Sequence, residues 1–327
     1  MTTLLIQEKS YERLEKEIKA ISPGLKALLI AADGSLSLDN QKIESGKVKP
    51  DLAWLNIEIL FSGAMEKFVK LVLEAGTVRW LQTFMAGLDF PFYGEMLRQG
   101  IRITRSNAQA IAIAEYVLSN VMAQYQGVLD RRKHQLAHVW RTTGFREIWR
   151  TKWLIIGFGN IGQEIAKRVR AFEAEVVGVR RSGAEHPLAD TMIRLDRISE
   201  YLPQADVVVL ACALNQETRE LADQAFFQKM KKEATFVNIA RGKLVKQKDM
   251  IEALKTGRPA RAILDVFDPE PLEEDSPLWD MENVIITPHS SNAGNGTHPR
   301  GDRLFLENLS RFLEGRPLLN EADPESL

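Results

Sequence analysis

The chain has 327 residues, too many for one small module and comfortable for two domains of ordinary size. With 45% apolar and 27% charged residues its composition is globular, which excludes a largely disordered polypeptide. The 43 Lys and Arg against 44 Asp and Glu leave a net charge of -1, so neither nucleic acid nor an anionic membrane is an expected partner.

No apolar run approaches the roughly 20 residues that cross a bilayer. The opening stretch MTTLLIQEKSYERLEKE turns charged after three strong apolars and does not read as a signal peptide. The single cysteine, Cys212, excludes an intramolecular disulfide framework and a thiolate zinc site. Its place in the run ADVVVLAC predicts a buried free thiol, and the expected compartment is a reducing cytoplasm.

In chain order, LKALLIAA (25–32) reads as a buried strand ended by Asp33-Gly34, VRWLQTF (78–84) as a second, and GIRIT (100–104) as a third, with helical periodicity between them. From Asn107 the run AQAIAIAEYVLSNVMAQYQGVLDRRK predicts one long helix. The apolar character of its 108–123 part exceeds what one domain needs, so a homodimer is expected. Residues 134–151 read as a structured connection with aromatics at Trp140, Phe145 and Trp149. Trp140 suits either a substrate pocket, reached across a dimer, or a surface or interface position. The i, i+4 pair His134 and His138 has Gln135 where a zincin helix carries Glu, and no third ligand is evident, so no metal site is expected.

Beyond this connection the alternation becomes regular. TKWLIIG, AEVVGV, ADVVVLA, ATFVNIA, ARAILDV and NVIIT predict strands, most of them followed by helices, which is the pattern of a parallel α/β sheet. GDRLFLENLSRFLEG closes the chain with an amphipathic helix ended by Gly315, and the last nine or so residues read as a tail.

The segment Gly157-Phe158-Gly159-Asn160-Ile161-Gly162 follows the strand LII and opens the helix IGQEIAKRVRAF. In a dinucleotide-binding turn Gly157 bends the chain, Gly159 admits a pyrophosphate to the backbone, and Gly162 lets helix and strand pack, while helix N–H groups hold the anion. The next strand, EVVGV, ends not in the acidic residue of an NAD site but in Arg180-Arg181-Ser182. Two guanidiniums and a hydroxyl suit a 2′-phosphate, so NADP(H) is the expected cofactor and NAD(H) the alternative. Three later strand ends carry chemistry: Arg241 in NIARG, Asp265 and Glu270 in LDVFDPEP, and His289 in TPHSS. Such ends face the ligand crevice of an open parallel sheet. Taken singly, Arg241 reads as well as an ion-pair partner, Glu270 as a loop carboxylate and His289 as a satisfied histidine; together beside the glycine turn they form a constellation.

The order and spacing of GFGNIG, NIARG, LDVFDPEPL and NVIITPH resemble the D-2-hydroxyacid dehydrogenase family over about residues 106–291, and in detail its NADP-preferring glyoxylate/hydroxypyruvate reductase branch. The resemblance implies an α/β fold in two parts. A Rossmann-type doubly wound parallel sheet binds NAD(P) over 105–291, and a smaller flavodoxin-like α/β substrate domain is assembled from 1–104 and 292–327, with a cleft between them that closes on substrate. It implies reduction of a small 2-keto acid such as glyoxylate or hydroxypyruvate to the D-hydroxy acid. Arg241 would grip the keto acid, His289 would act as general acid, and Glu270 would fix the imidazole tautomer and favour its charged form. Backbone at Ala86 and Gly87 would hold the substrate carboxylate, Asp265 would contact the nicotinamide end, and the turn around Ala213 would line the cofactor ribose.

The chain departs from the family at Arg180 and at Ser290-Ser291-Asn292, which follow His289 where an apolar residue is usual. An NAD-linked 3-phosphoglycerate dehydrogenase would want an acidic residue at 180, and a formate dehydrogenase an amide at 270. A nucleotide-sensing corepressor on the same fold keeps the constellation and differs in turnover.

Overall fold

Strands that are apolar on both faces need cover on both sides. In the computed structural model, which describes residues 2–44 and 46–323, such strands build two seven-stranded sheets. They lie in two compact units, Met1–Ala108 with Asn295–Leu327, and Gln109–Gly294.

In the first unit the strands are β1 (Thr3–Gln7), β2 (Lys26–Ile30), β3 (Leu36–Leu38), β4 (Gln41–Ile43), β5 (Leu52–Leu55), β6 (Trp80–Thr83) and β7 (Arg102–Thr104). Their order is β4-β3-β2-β1-β5-β6-β7. The five strands from β2 to β7 run parallel in flavodoxin-like order, and the antiparallel β3–β4 hairpin closes one edge. Alternate residues of β1 feed the two cores: Leu5 joins Phe68, Leu71 and Tyr93 on one face, and Leu4 and Ile6 join Trp54, Trp80 and Phe305 on the other. Phe305, from the helix Thr297–Leu313, stacks on Trp54 at 4.1 Å between ring centroids.

Four elements here differ from the sequence expectation, among them β5, a four-residue strand inside a stretch expected to be helical. β1 goes unpredicted because it is five residues long and runs straight into the helix Glu8–Ile21 with no turn residue between. The hairpin turns on Asp39 and Asn40, both with positive φ, a two-residue turn whose mirror-image geometry suits strand twist. The expected tail is pinned as far as Ala322: Ala322 N–H donates to the Ile103 carbonyl, Arg105 N–H to Asn320, and Arg102 pairs with Glu321. Residues 324–327 of that expected tail lie outside the described residues.

In the second unit the strands are β8 (Lys152–Ile156), β9 (Glu175–Val179), β10 (Thr191–Ile193), β11 (Val207–Leu210), β12 (Thr235–Asn238), β13 (Arg261–Leu264) and β14 (Val284–Ile286). All pair in parallel, in the order β10-β9-β8-β11-β12-β13-β14. This is the doubly wound Rossmann arrangement, whose order reverses between β8 and β11. The helices Ala110–Tyr125 and Asn160–Arg170 cover one face, where Trp153, Ile155 and Val209 are buried. Gln224–Lys229 and Gln247–Lys255 cover the other, over Leu154, Val208 and Phe236.

The long helix expected from Asn107 is two. Gly127, at φ +60, separates Ala110–Tyr125 from Val128–Leu136, because a left-handed residue ends the hydrogen-bond ladder. The apolar surplus expected on 108–123 is largely absorbed within its own unit, with Ile113, Val117 and Val121 buried. The exposed apolar side chains follow instead, at Leu129, Leu136, Val139, Trp140 and Phe145, and Trp140 is 102% exposed. His138 falls beyond the second helix, so it does not share a helical face with His134. No helix among the described residues is long and apolar enough to cross a membrane.

Candidate active site

The glycine turn follows β8 and starts the helix Asn160–Arg170. Gly157 sits at φ +103, and a Cβ on it would stand 2.4 Å from the main chain of Ala211 and Cys212. One on Gly162 would stand 2.2 Å from the Gly157 carbonyl oxygen. These two positions are closed to any larger residue by the unit's own packing. At Gly159 the same test meets nothing within 4 Å, so the helix start is open where an anion would approach. Asn160, Ile161 and Gly162 lie in the first turn, where N–H groups lack intrahelical acceptors. These residues fit the pyrophosphate of a dinucleotide.

The turn after β9 is less simply arranged than its sequence implies. The Arg180 guanidinium donates from Nη2 to the carbonyls of Ala184 and Glu185, and its Nε is buried without a partner. Arg181 and Ser182 stand exposed on the same turn, and Ser182 Oγ accepts from Ala184 N–H at 3.3 Å. Ala213 lies exposed in the turn after β11. Beside it Cys212 is partly buried rather than fully enclosed, and burial pushes its thiol up to about 11. It is therefore a neutral thiol at physiological pH.

At the ends of β12, β13 and β14 stand the titratable groups. Arg241 follows β12, half-buried, and its Nη1 donates to the Ala240 carbonyl at 2.7 Å. Asn238 shapes this turn: its side chain accepts from Ala240 N–H at 3.1 Å and donates to the Arg241 carbonyl at 3.0 Å. Gly242 is pressed against the next strand's exit, since a Cβ there would lie 1.9 Å from the Phe267 carbonyl oxygen. The arginine turn is thus fixed to the segment that carries Glu270.

Glu270 Oε1 accepts the Phe267 N–H at 3.0 Å, which leaves Oε2 to face His289 Nδ1 at 2.9 Å. An ionised carboxylate only accepts, so the proton of this bond sits on Nδ1 and the other ring nitrogen, Nε2, is left for exchange. The two side chains are 44% and 38% exposed. A pair this wet contributes little to stability; its effect is on the direction of the ring. His289 itself has φ +50, a left-handed conformation costing an L-residue roughly 1–2 kcal/mol. It is held there by its N–H, which donates to the Asp265 carbonyl at 2.8 Å.

Asp265, 1% exposed, follows β13. Its Oδ1 accepts from Thr287 Oγ1 at 2.6 Å and from the N–H of Ser290 at 2.8 Å, and both its oxygens lie 3.1 Å from the N–H of Ser291. The departure at Ser290-Ser291 thus engages Asp265 through main-chain groups. Ala86 and Gly87 belong to the other unit, in the loop leaving β6 at the carboxyl edge of that sheet. That loop is tied by Met85 N–H to Thr83 Oγ1 at 3.2 Å and by Ser106 N–H to the Met85 carbonyl at 2.9 Å. Within the second unit, then, one sheet edge gathers the glycine turn, Arg180 to Ser182, Ala213, Arg241, Asp265, Glu270 and His289.

Four residues at this edge carry no functional assignment from the sequence. For Asn238 and Gly242 the signal was available, as the flanks of NIARG. Thr287 and Tyr116 had none, because their side chains meet only after folding brings together positions 171 residues apart.

Residues 118–291 match the family described as D-isomer specific 2-hydroxyacid dehydrogenase, NAD binding domain. The human glyoxylate reductase/hydroxypyruvate reductase is 31% identical over 267 residues, covering 77% of this chain and 80% of that protein. A solved D-isomer specific 2-hydroxyacid dehydrogenase family protein from Aeromonas salmonicida is 30% identical and covers 99% of both chains with a TM-score of 0.77. The NADPH-dependent glyoxylate/hydroxypyruvate reductase of Sinorhizobium meliloti, solved with NADP and sulfate, shares the fold at a TM-score of 0.78 and 22% identity, over 99% of both chains. A sheet edge of this construction and a match over most of the second unit lead to one conclusion: the chain belongs to the D-isomer specific 2-hydroxyacid dehydrogenase family, nicotinamide-dependent oxidoreductases that act on a CH–OH group.

Proposed function

We propose that this enzyme reduces a small 2-keto acid of the glyoxylate or hydroxypyruvate type to the D-2-hydroxy acid, with NADPH preferred over NADH. The observation that carries the reading is the Glu270–His289 pair at 2.9 Å, on the same sheet edge as Arg241. Arg241 grips the carboxylate and carbonyl oxygen of the keto acid and polarises the C=O bond. His289 gives its Nε2 proton to that oxygen as C2 is reduced, while Glu270 holds Nδ1 and with it the ring's direction. The Gly157–Gly162 turn would hold the pyrophosphate of the dinucleotide, whose nicotinamide would supply the hydride when bound. The loop at Ala86 and Gly87 would offer main-chain N–H groups to a carboxylate. Asp265 lies toward the nicotinamide end and Ala213 toward its ribose.

The NADPH preference is supported by the absence of an acidic residue at the end of β9 and by the exposure of Arg181 and Ser182, which suit a 2′-phosphate. With its Nη2 on two carbonyls, Arg180 shapes the turn from which Arg181 and Ser182 reach the phosphate. NADP in the Sinorhizobium meliloti relative supports the same choice.

Initial rates with glyoxylate, hydroxypyruvate and pyruvate, each with NADPH and with NADH, test the reading. Fast turnover of one keto acid with NADPH is expected. NADPH binding without turnover of any of the three would overturn it in favour of a nucleotide sensor.

The exposed apolar residues between Leu129 and Phe145 support a homodimer in which a second copy covers them. A monomeric mass at micromolar concentration would overturn this. In the same reading the enzyme works in a reducing cytoplasm, where Cys212 stays a thiol.

A further inference from the structure

The segment 287–291 wraps around one residue. Thr287 Oγ1, Ser290 N–H and Ser291 N–H converge on the Asp265 carboxylate, and His289 N–H donates to the Asp265 carbonyl. His289 is the apex of this loop, with its backbone in the left-handed region. The Glu270 pair fixes the direction of the imidazole, but the ring's position depends on the loop staying closed around Asp265.

A second hydroxyl stands behind Thr287. Tyr116 Oη, on the helix Ala110–Tyr125, lies 2.7 Å from Thr287 Oγ1. The direction of this bond follows from proton counting. An ionised Asp265 has no proton to give, so the one hydroxyl proton of Thr287 goes to Asp265 Oδ1 at 2.6 Å. Thr287 can then only accept from Tyr116. Burial, with the Asp265 charge adding to it, pushes Tyr116 up to about 12 against the opposing Thr287 bond, so its hydroxyl keeps the proton it donates. The result is a one-way chain from Tyr116 to Thr287 to Asp265 that anchors the histidine loop to a helix on one face of the sheet.

We propose that Thr287 and Tyr116 are positioning residues of the reaction, acting through Asp265 to hold His289 where it can deliver its proton. Neither needs to touch the substrate. The inference rests on the reading of His289 as the proton donor. It also assigns a role to Ser290 and Ser291: their N–H groups close the loop on the carboxylate.

The test compares Thr287→Val, which keeps the shape and removes the hydroxyl, with Thr287→Ser, which keeps the hydroxyl, and with Tyr116→Phe. Each is measured for kcat and KM with the best of the three keto acids, for NADPH affinity by fluorescence, and for the His289 ring nitrogens by NMR of the unliganded protein. Thr287→Val is expected to lower kcat by about tenfold to a hundredfold, the scale of loss when a reacting group shifts by about an ångström, with KM and NADPH affinity little changed and the His289 signals displaced. Thr287→Ser is expected to restore both kcat and signals. Tyr116→Phe is expected to give a smaller loss that vanishes when added to Thr287→Val, because members of one chain are not additive.

Wild-type kcat and unmoved His289 signals in Thr287→Val would overturn the proposal, as would a Thr287→Ser variant no better than Thr287→Val, or additive losses in the double variant. Should Thr287→Val fail to fold, Tyr116→Phe decides on the same readouts. His289→Ala separates the two levels. Full activity there overturns the proton-donor reading itself, whereas loss there with an unaffected Thr287→Val overturns only the hydroxyl chain.

Discussion

Two buried aspartates stand at opposite edges of the second unit's sheet, and they are satisfied in different ways. Asp206, 8% exposed, precedes β11 at the amino edge. Its Oδ1 takes Arg146 Nη2 and Lys231 Nζ, each at 2.7 Å, and its Oδ2 takes the Lys152 N–H at 2.8 Å. Asp265, at the carboxyl edge, is held by one hydroxyl and the N–H groups of its own neighbouring loop. Long cationic side chains compensate a charge but fix little else, since each keeps several rotatable bonds. Main-chain donors do the reverse: they specify where a loop lies. The difference fits the placement of the proposed reacting residues at the second edge. Charge compensation is enough to let a carboxylate be buried; a proton donor must also stay in place.

If this division of labour is right, changes at the carboxyl edge act on rate and changes at the amino edge act on stability. The largest effect belongs to His289→Ala. It should lower kcat by about 10²- to 10⁴-fold, the range of general acid catalysis, while NADPH binding followed by fluorescence persists. Near-normal turnover would break the comparison at once.

Asp206→Asn should do the opposite and leave kcat unaltered while lowering stability by about 2 kcal/mol, the worth of a hydrogen bond to a charged group. Burial alone would raise the Asp206 carboxyl, but Lys231, the Lys152 N–H and Arg146 together hold it below the usual range. A carboxyl lowered by folding stabilises the protein above its unfolded value of about 3.9 and loses that contribution as the pH falls through the lower folded value. Denaturation midpoints of the two proteins should therefore differ at pH 7 and converge in acid; a gap that persists at low pH would show that Asp206 does not act through its charge.

A smaller effect is expected at the end of β9. Arg181→Ala should reduce the NADPH-to-NADH preference in kcat/KM by about tenfold, equal to about 1.4 kcal/mol, and Arg180→Asp with Arg181→Ala should shift it further toward NADH. An unchanged ratio in the double variant would remove the phosphate-binding role of this turn.

The parallel strands of the second unit were readable because residues such as Val207 to Leu210 and Thr235 to Asn238 are apolar or small on both faces and are bounded by turns. β10 was not, because Thr191–Ile193 is an edge strand of three residues with no alternation to count. In the first unit β1 was not readable either, since Leu4 to Ile6 run straight into the helix Glu8–Ile21 and nothing in the local sequence separates strand from helix there. At the site, the residues legible in advance were those whose chemistry stands alone at a strand end: Arg241, Glu270 and His289. A threonine and a tyrosine have no such signature, and their hydrogen bond exists only once a helix is packed against the sheet. Arg180 shows the converse limit, for the sequence displays a guanidinium without showing that its own turn has taken Nη2.

The first unit is completed by a helix from the far end of the chain. Phe305 fills the space against Trp54 and Trp80, and Ala322 hydrogen-bonds beside β7. During synthesis the second unit emerges as one uninterrupted stretch and can fold while the ribosome is still working. The first must wait for about 190 further residues, on the order of 10 to 40 s at ordinary elongation rates, with the Trp54 and Trp80 part of one sheet face lacking its cover. The half of the molecule translated first is thus the half that finishes folding last, and in the cell it is this nascent sheet that would need shelter from aggregation.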